Sequence, residues 1–448
     1  MIKIRSEFAS RFGFLMAAAG AAVGLGNVWS FPSMAANNGG GAFLLVYLIM
    51  SLVLAYPALM AELTLGRYSQ KGVMNALGDA GTTETTKKVG RSIGFFALFL
   101  AAIGLTFYSI VTGWLMSQTW QPIARKFELD SLYGWLTHSG MVRDLPLSML
   151  AILLCVGVIL AGVNQGIERW SKRLMPLLVV MILILIAIIS TYDGALDGLK
   201  LYLIPDLSKI TPQLMLDAMG QSFFSMSIGI GAMVVYGSYL SRQANLPVTG
   251  AQVLFIDMGI AFIAGLLVIP AMFVAHNLGV EIYKSNGDLE SSATLLFSVM
   301  PSMFERMGDT GLLLEFVFFG LLSVAALTSM FPALEVPVSA IEETGKMKRS
   351  TATFVVAGTI ALVTIIILLN FDALFGAVIS FTINSMPIVG ALICLFFGWV
   401  VSRNAKLEEL RKGNPEIEST FFWKVWPWYI RFVCPILPLI VLVRSLTA

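Results

Sequence analysis

Of 448 residues, 57% are hydrophobic and only 12% are charged, and the mean hydropathy is +0.83. Soluble domains carry roughly 25% charged residues, so this composition excludes one and predicts an all-helical integral membrane protein. A formal net charge of +2 offers nucleic acid nothing to bind.

A hydropathy window of about 19 residues places eleven spans near 12–36, 41–69, 92–122, 146–163, 169–191, 213–240, 248–276, 311–342, 351–370, 374–402 and 425–446. The chain reads as one transmembrane domain over residues 1–448. Lys3, Arg5 and Arg11 before an alanine-rich run imitate a secretory leader. The run ends in GNVWSFP rather than a small-residue cleavage site, so it is read as a retained first span. Loop lysines and arginines concentrate on one side, in sets such as Lys87, Lys88 and Arg91, or Lys346, Lys348 and Arg349. The positive-inside rule makes that side, with the N-terminus, cytoplasmic. Eleven spans then leave the C-terminus outside a multi-pass cell-membrane protein. Cys155, Cys394 and Cys434 lie inside apolar segments without metal spacing and read as small buried hydrophobes. Two outer stretches, 202–213 and 289–308, are amphipathic, and either cap the outer mouth or lie on the membrane surface.

The first span carries Gly20, Gly24 and Gly26 at its middle, followed by Asn27, Trp29 and Pro32. A helix that breaks at mid-depth frees backbone groups that must meet an ion, a ligand or protein. The sixth span has Gly220, Gly229 and Gly231 around Ser225 and Ser227. Small-xxx-small packing explains either interruption alone. Two interruptions in corresponding places predict a pair of inverted repeats, about 12–191 and about 213–402, with an extra helix at about 425–446. Such broken helices are the sequence pointer to a transporter binding site. No filter loop suggests a channel. His138 and His276 are the only histidines, and no HExxH or GxSxG occurs, which argues against an enzyme.

The motifs AAAGAAVGLGNVWSFP (17–32), NNGGGAFLLVYL (37–48), ELTLGRY (62–68), GQSFFSMSIGIG (220–231) and AALTSMFPALE (325–335) resemble those of the neurotransmitter:sodium symporter family. The resemblance implies the fold named after the bacterial leucine transporter, and transport of a neutral amino acid with sodium by alternating access. It implies one sodium site from the Ala22 carbonyl, Asn27, Ser225 and Asp257 together with the substrate carboxylate. A second would use the carbonyls of Gly20, Val23 and Ala325 with the hydroxyls of Thr328 and Ser329. Hard cations favour such oxygen ligands, although the two hydroxyls have their own i−4 carbonyls as alternative partners. The substrate would lie against Ala22, Gly24, Leu25, Gly26, Phe107, Tyr108, Phe224, Ser225, Ser227, Ile230 and Ala333. Its carboxylate would meet the Leu25 and Gly26 amides, where a helix N-terminus favours an anion. Monoamine members carry an acid at the position of Gly24, so an amino-acid zwitterion fits better.

Three departures from the family pattern set further expectations. Asp257 replaces a common asparagine near the place where relatives hold chloride, by Tyr47, Gln221 and Ser225, and predicts chloride independence. Ser30 replaces the arginine of an outer gate and Gly376 its acidic partner, leaving closure to Tyr108, Phe224 and outer-loop packing. Ile230 and Ala333 are small and favour a hydrophobic or aromatic substrate, unless Met226, Met330 and Phe331 refill the space. The inner gate is expected to pair Arg5 with Glu343, helped by Tyr239 and Glu335, as exposed ion pairs. Glu62 is expected to hold the freed amides of the first span. Taurine, GABA or betaine are the alternative cargoes, and a membrane amino-acid sensor is the alternative of a different class. The oligomeric state is left open.

Overall fold

The computed structural model describes residues 7–283 and 294–447. Among the described residues the regular structure is helical, with no sheet. Hydrocarbon offers the backbone no water, so an open span closes its own hydrogen bonds only as a helix.

Helices α1 (Arg11–Ala22) and α2 (Phe31–Asn37) flank a π-helical turn, Gly26–Ser30, and the path bends by 55° between them. Next come α3 (Gly41–Met50), α4 (Tyr56–Ser69), α5 (Val73–Ala80), and the 43-residue α6 (Glu84–Lys126). Then follow α7 (Asp130–Thr137), α8 (Met141–Leu160), α9 (Arg169–Ile189) and α10 (Ala195–Leu203). The second interruption separates α11 (Pro212–Ser225) from α12 (Ala232–Ser238), and α13 (Leu246–Asn277) follows. The remainder is α14 (Met300–Arg306), α15 (Gly308–Glu343), α16 (Arg349–Leu369), α17 (Phe371–Val400), α18 (Arg403–Arg411) and α19 (Phe421–Thr447).

Eight helical stretches are long and apolar enough to cross a membrane, and the bent pair α1–α2 makes a ninth. Two of the eleven expected segments fall outside that set. The sixth is divided into pieces of 14 and 7 residues, and the last is the single 27-residue helix α19, which lies only partly within the described residues.

Three of the four π-helical turns among the described residues precede a proline. Gly26–Ser30, Ser51–Ala55 and Leu295–Val299 are each followed, two residues on, by Pro32, Pro57 or Pro301. Proline has no N–H, and its ring crowds the carbonyl four residues back. A wider turn relieves that contact and leaves carbonyls free for other partners.

The outer stretch from Leu295 to Phe304 is a cap rather than a surface helix, since Leu295, Val299, Met300, Met303 and Phe304 are all buried. At the opposite end α18 is fastened to α4. Arg67, fully buried, donates to Glu409 Oε1 at 2.7 Å and to the carbonyls of Glu409 and Ala244 at 2.5 Å. Arg67→Ala strands Glu409 with only the half-exposed Lys412, and is expected to cost about 3–5 kcal/mol. Thermal melting in detergent reads this, with the Arg67→Met/Glu409→Met pair recovering much of the loss. An unchanged midpoint in Arg67→Ala would contradict the assignment.

Candidate functional site

The two breaks face each other. Helix α1 ends at Ala22, with Val23 already extended at ψ 94°. Helix α11 ends at Ser225, and the path to α12 runs through left-handed residues Ser227 (φ 52°), Gly229 (φ 96°) and Gly231 (φ 75°). Gly229 is required for space as well as conformation, because a Cβ there would lie 2.1 Å from the Met386 carbonyl oxygen. Two side chains stitch the breaks together. Ser227 Oγ donates to the Ala21 carbonyl at 2.8 Å, and Gln221 Nε2 donates to the Gly26 carbonyl at 2.7 Å.

Between them lies a knot of buried polar groups. Asp257, on α13, accepts from Asn27 Nδ2 at 2.8 Å, from Ser225 Oγ at 2.8 and 2.9 Å, and from Tyr47 OH at 3.3 Å. Ser225 Oγ also lies 3.1 Å from Asn27 Oδ1. All four residues are 0% exposed. Thus three of the expected first-sodium ligands, Asn27, Ser225 and Asp257, converge, and Ala22 is the last α1 residue beside them. The set offers several oxygens and one carboxylate, a donor chemistry suited to a hard monovalent cation.

The second expected sodium set is partly assembled. Ser329 Oγ meets the Gly20 carbonyl at 3.3 Å, and Thr328 Oγ1 meets the Ala325 and Val324 carbonyls at 3.0 and 3.2 Å. Thr328 therefore makes the intrahelical bonds that were its alternative. A Cβ on Gly20 would stand 3.3 Å from that of Thr328, so a larger residue would need α1 and α15 to give by a few tenths of an ångström. Val23 is buried at the break.

Alongside is a cavity of about 40 Å³, room for about three waters. Phe107, Tyr108, Phe224, Ser227, Ile230 and Ala333 line it as expected, with Ser329. Leu100, Ala101, Gly104, Thr382 and Met386 complete it. None of these five carried a motif signal. Met226, Met330 and Phe331 do not line it; all three are buried in the core, and Met330 Sδ accepts from Thr112. Gly24, Leu25, Gly26, Ala22 and Ser225 stand behind the cavity wall. A Cβ on Gly24 would be 3.5 Å from Tyr108 OH, and one on Gly26 would be 3.2 Å from the Phe224 ring.

An aromatic cluster joins the 295–299 turn to the first and third spans. Phe297 packs edge-on against Trp29 and Trp114, at centroid distances of 6.0 and 5.8 Å, and Trp114 continues to Phe375 at 5.1 Å. Ser30 Oγ donates to Gln221 Oε1 at 2.9 Å. On the inner side Arg5 lies outside the described residues. Glu343 accepts from the Gly72 amide and Asn75, at 2.5 and 2.8 Å. Glu335 is buried rather than exposed and carries an ion pair of its own. Arg349 embraces it at 2.6 and 3.0 Å, and Tyr239 OH adds a bond of 2.6 Å. Glu62 serves the other break: its Oε1 accepts from the Gly229 amide at 2.8 Å, not from the first span. Glu168, which sequence reading missed, latches the entry to α1 through Ala9 N at 2.7 Å and Ser10 Oγ at 2.9 Å.

Comparison with known proteins agrees with this architecture. An uncharacterised sodium-dependent transporter of Bacillus subtilis is 32% identical over 97% of this chain and 96% of its own. The sodium- and chloride-dependent creatine transporter 1 of Homo sapiens is 27% identical over 74% of this chain and 59% of its own length. The solved structure of MhsT in complex with L-phenylalanine matches with a TM-score of 0.82 at 30% identity, over 98% of this chain and 99% of that one. The sequence profile of the sodium:neurotransmitter symporters matches residues 5–135 and 127–448. A profile running the length of the chain, on a fold broken where its sequence breaks, makes this protein a member of the sodium:neurotransmitter symporter family, and so a sodium-dependent transporter rather than an enzyme.

Proposed function

We propose that this symporter carries a neutral, hydrophobic or aromatic L-amino acid, uses two sodium sites and needs no chloride. The observation that carries the reading is the Asn27–Ser225–Asp257–Tyr47 knot, which sets a carboxylate between the two interrupted helices. A fixed negative charge at that point compensates a bound cation in low dielectric, where a mobile anion would otherwise be needed. The amino-acid preference is supported by the apolar wall of the cavity, with Gly24 in place of an acid, and by the phenylalanine bound to the related MhsT.

In this reading sodium stabilises the outward-open form. Substrate then completes the site, and closure beneath Phe297 and Trp114 leads to inward release. Sodium drives the cycle only through different affinities for the two states. The N-terminus lies in the cytoplasm and the C-terminus outside, with residues of about 12–191 and about 213–402 as inverted repeats and α19 as the added eleventh span.

The test is uptake of a panel of radiolabelled amino acids into proteoliposomes, with sodium against potassium. Sodium-dependent accumulation of one hydrophobic or aromatic amino acid, unchanged when gluconate replaces chloride, is the expected result. Saturable sodium-dependent binding without accumulation would favour a sensor. Uptake of taurine, GABA or betaine alone would replace the cargo assignment, and a strict chloride requirement would remove the role given to Asp257.

A further inference from the structure

Where α17 ends and α18 begins, two cations converge on one carbonyl. Lys406 Nζ and Arg431 Nε donate to the Gly398 oxygen at 2.8 and 2.7 Å. Lys406 is 1% exposed and its ammonium lies 5.1 Å from the Phe397 ring centre. Among the described residues no carboxylate pairs with either cation. Glu409 is taken by Arg67 and Lys412, and Glu418 by Arg411. Burial, and next the charge of Arg431, lower Lys406 to about 7. Both cations sit on the C-terminal turn of α17, where free carbonyls favour positive charge, and neither has a carboxylate of its own among the described residues.

The setting of Arg431 is also defined. The Arg431 stem lies on Gly398, where a Cβ would stand 3.0 Å from its Cγ. Its guanidinium sits 5.5 Å from the ring centres of both Trp399 and Trp428. Those indoles are 56% and 52% exposed, and Phe432, stacked on Trp428, is 43% exposed. Among the described residues only Nε of the guanidinium is hydrogen-bonded, and its two terminal nitrogens suit a bidentate oxyanion. Exposed Lys424 lies one turn before Trp428 on α19. Indoles beside an arginine mark the depth of lipid headgroups, and basic pockets between spans near that depth suit anionic ones.

We propose that this corner binds the phosphate of an anionic phospholipid through Arg431, with the acyl chains lying along Trp399, Trp428 and Phe432. The site is independent of the cargo; only its assignment to the cytoplasmic leaflet rests on the orientation proposed above. The exposed Trp399, Trp428 and Phe432 beside the guanidinium favour a lipid over free phosphate.

The test uses the full-length protein, delipidated in detergent and then titrated with phosphatidylglycerol or phosphatidylcholine, with bound lipid counted by native mass spectrometry. Phosphatidylglycerol is expected to bind in preference, and Arg431→Gln to weaken it about fivefold. Arg431→Lys keeps the charge without the fork or the stacking, and is expected to fall between the two. Should Arg431→Gln fail to fold, Arg431→Lys decides the matter alone. Equal binding of the two lipids, or a preference untouched in Arg431→Lys, would overturn the proposal. Displacement of phosphatidylglycerol by millimolar inorganic phosphate would make it a free-anion site and overturn the lipid assignment.

Discussion

Asp257→Ala is expected to abolish sodium-dependent substrate binding, with the largest functional loss of any single substitution in the knot. Three side chains direct hydrogen bonds at this carboxylate: Asn27 and Ser225 at 2.8 Å and Tyr47 at 3.3 Å. Truncation removes this acceptor and leaves each donor one longer bond in a dry interior: Asn27 to the Asp257 carbonyl at 3.1 Å, Ser225 to Asn27 Oδ1 at 3.1 Å and Tyr47 to Ser225 Oγ at 3.3 Å. It also removes the countercharge from the cation, so sodium affinity is expected to fall by about 100-fold or more. Asp257→Asn separates the two effects. The amide keeps the shape and part of the bonding but not the charge. If the charge is what replaces chloride, Asp257→Asn regains transport in chloride and loses it in gluconate, whereas the parent protein is indifferent. Sodium titration of binding by the folded fraction, with chloride exchanged, measures both. Wild-type sodium affinity in folded Asp257→Ala would remove the carboxylate from the cation site.

How far the sequence carried depended on the range of the cause. The breaks were legible because their causes are local: glycines at 20, 24 and 26, and again at 229 and 231, weaken a helix wherever they stand. The approach of Asn27 to Asp257, residues 230 apart, has no local signature and came only from the family resemblance. Glu62 shows the limit. A carboxylate at mid-membrane predicts a backbone partner, yet both broken helices offer freed amides, and only the packing of α4 against α12 decides for Gly229. Glu335 was misjudged for a related reason. Arg349, 14 residues on, returns across the turn after α15 to reach it, and hydropathy does not register such a reversal. The aromatic cluster depends on Phe297, in a stretch where sequence alone left a cap and a surface helix as equals. The cavity walls added by Leu100, Thr382 and Met386 are ordinary apolar or hydroxyl positions on long helices, without any motif to mark them.

Gly24→Ala is expected to weaken sodium and substrate binding together, about tenfold each, and the cause is steric. The backbone at Gly24 is outside the left-handed region, so alanine is conformationally acceptable there. Its Cβ, however, would lie 2.2 Å from Ser329 Oγ and 3.1 Å from Ser329 Cβ. The hydroxyl must swing away from the Gly20 carbonyl, which it meets at 3.3 Å, and the contact between the two β-carbons still pushes α1 off α15. Binding isotherms in detergent, with sodium and substrate varied in turn, measure the loss, and a melting curve verifies the fold. Ser329→Gly on the Gly24→Ala background then distinguishes two roles for Ser329. Removing that side chain clears both contacts, so packing and melting temperature return. If the Ser329 hydroxyl is a sodium ligand, sodium affinity stays low in the double variant while the substrate pocket recovers its shape. Full recovery of sodium affinity would mean that the serine only fills space beside Gly24, and the second sodium site would then rest on Thr328 and the carbonyls of Gly20, Val23 and Ala325.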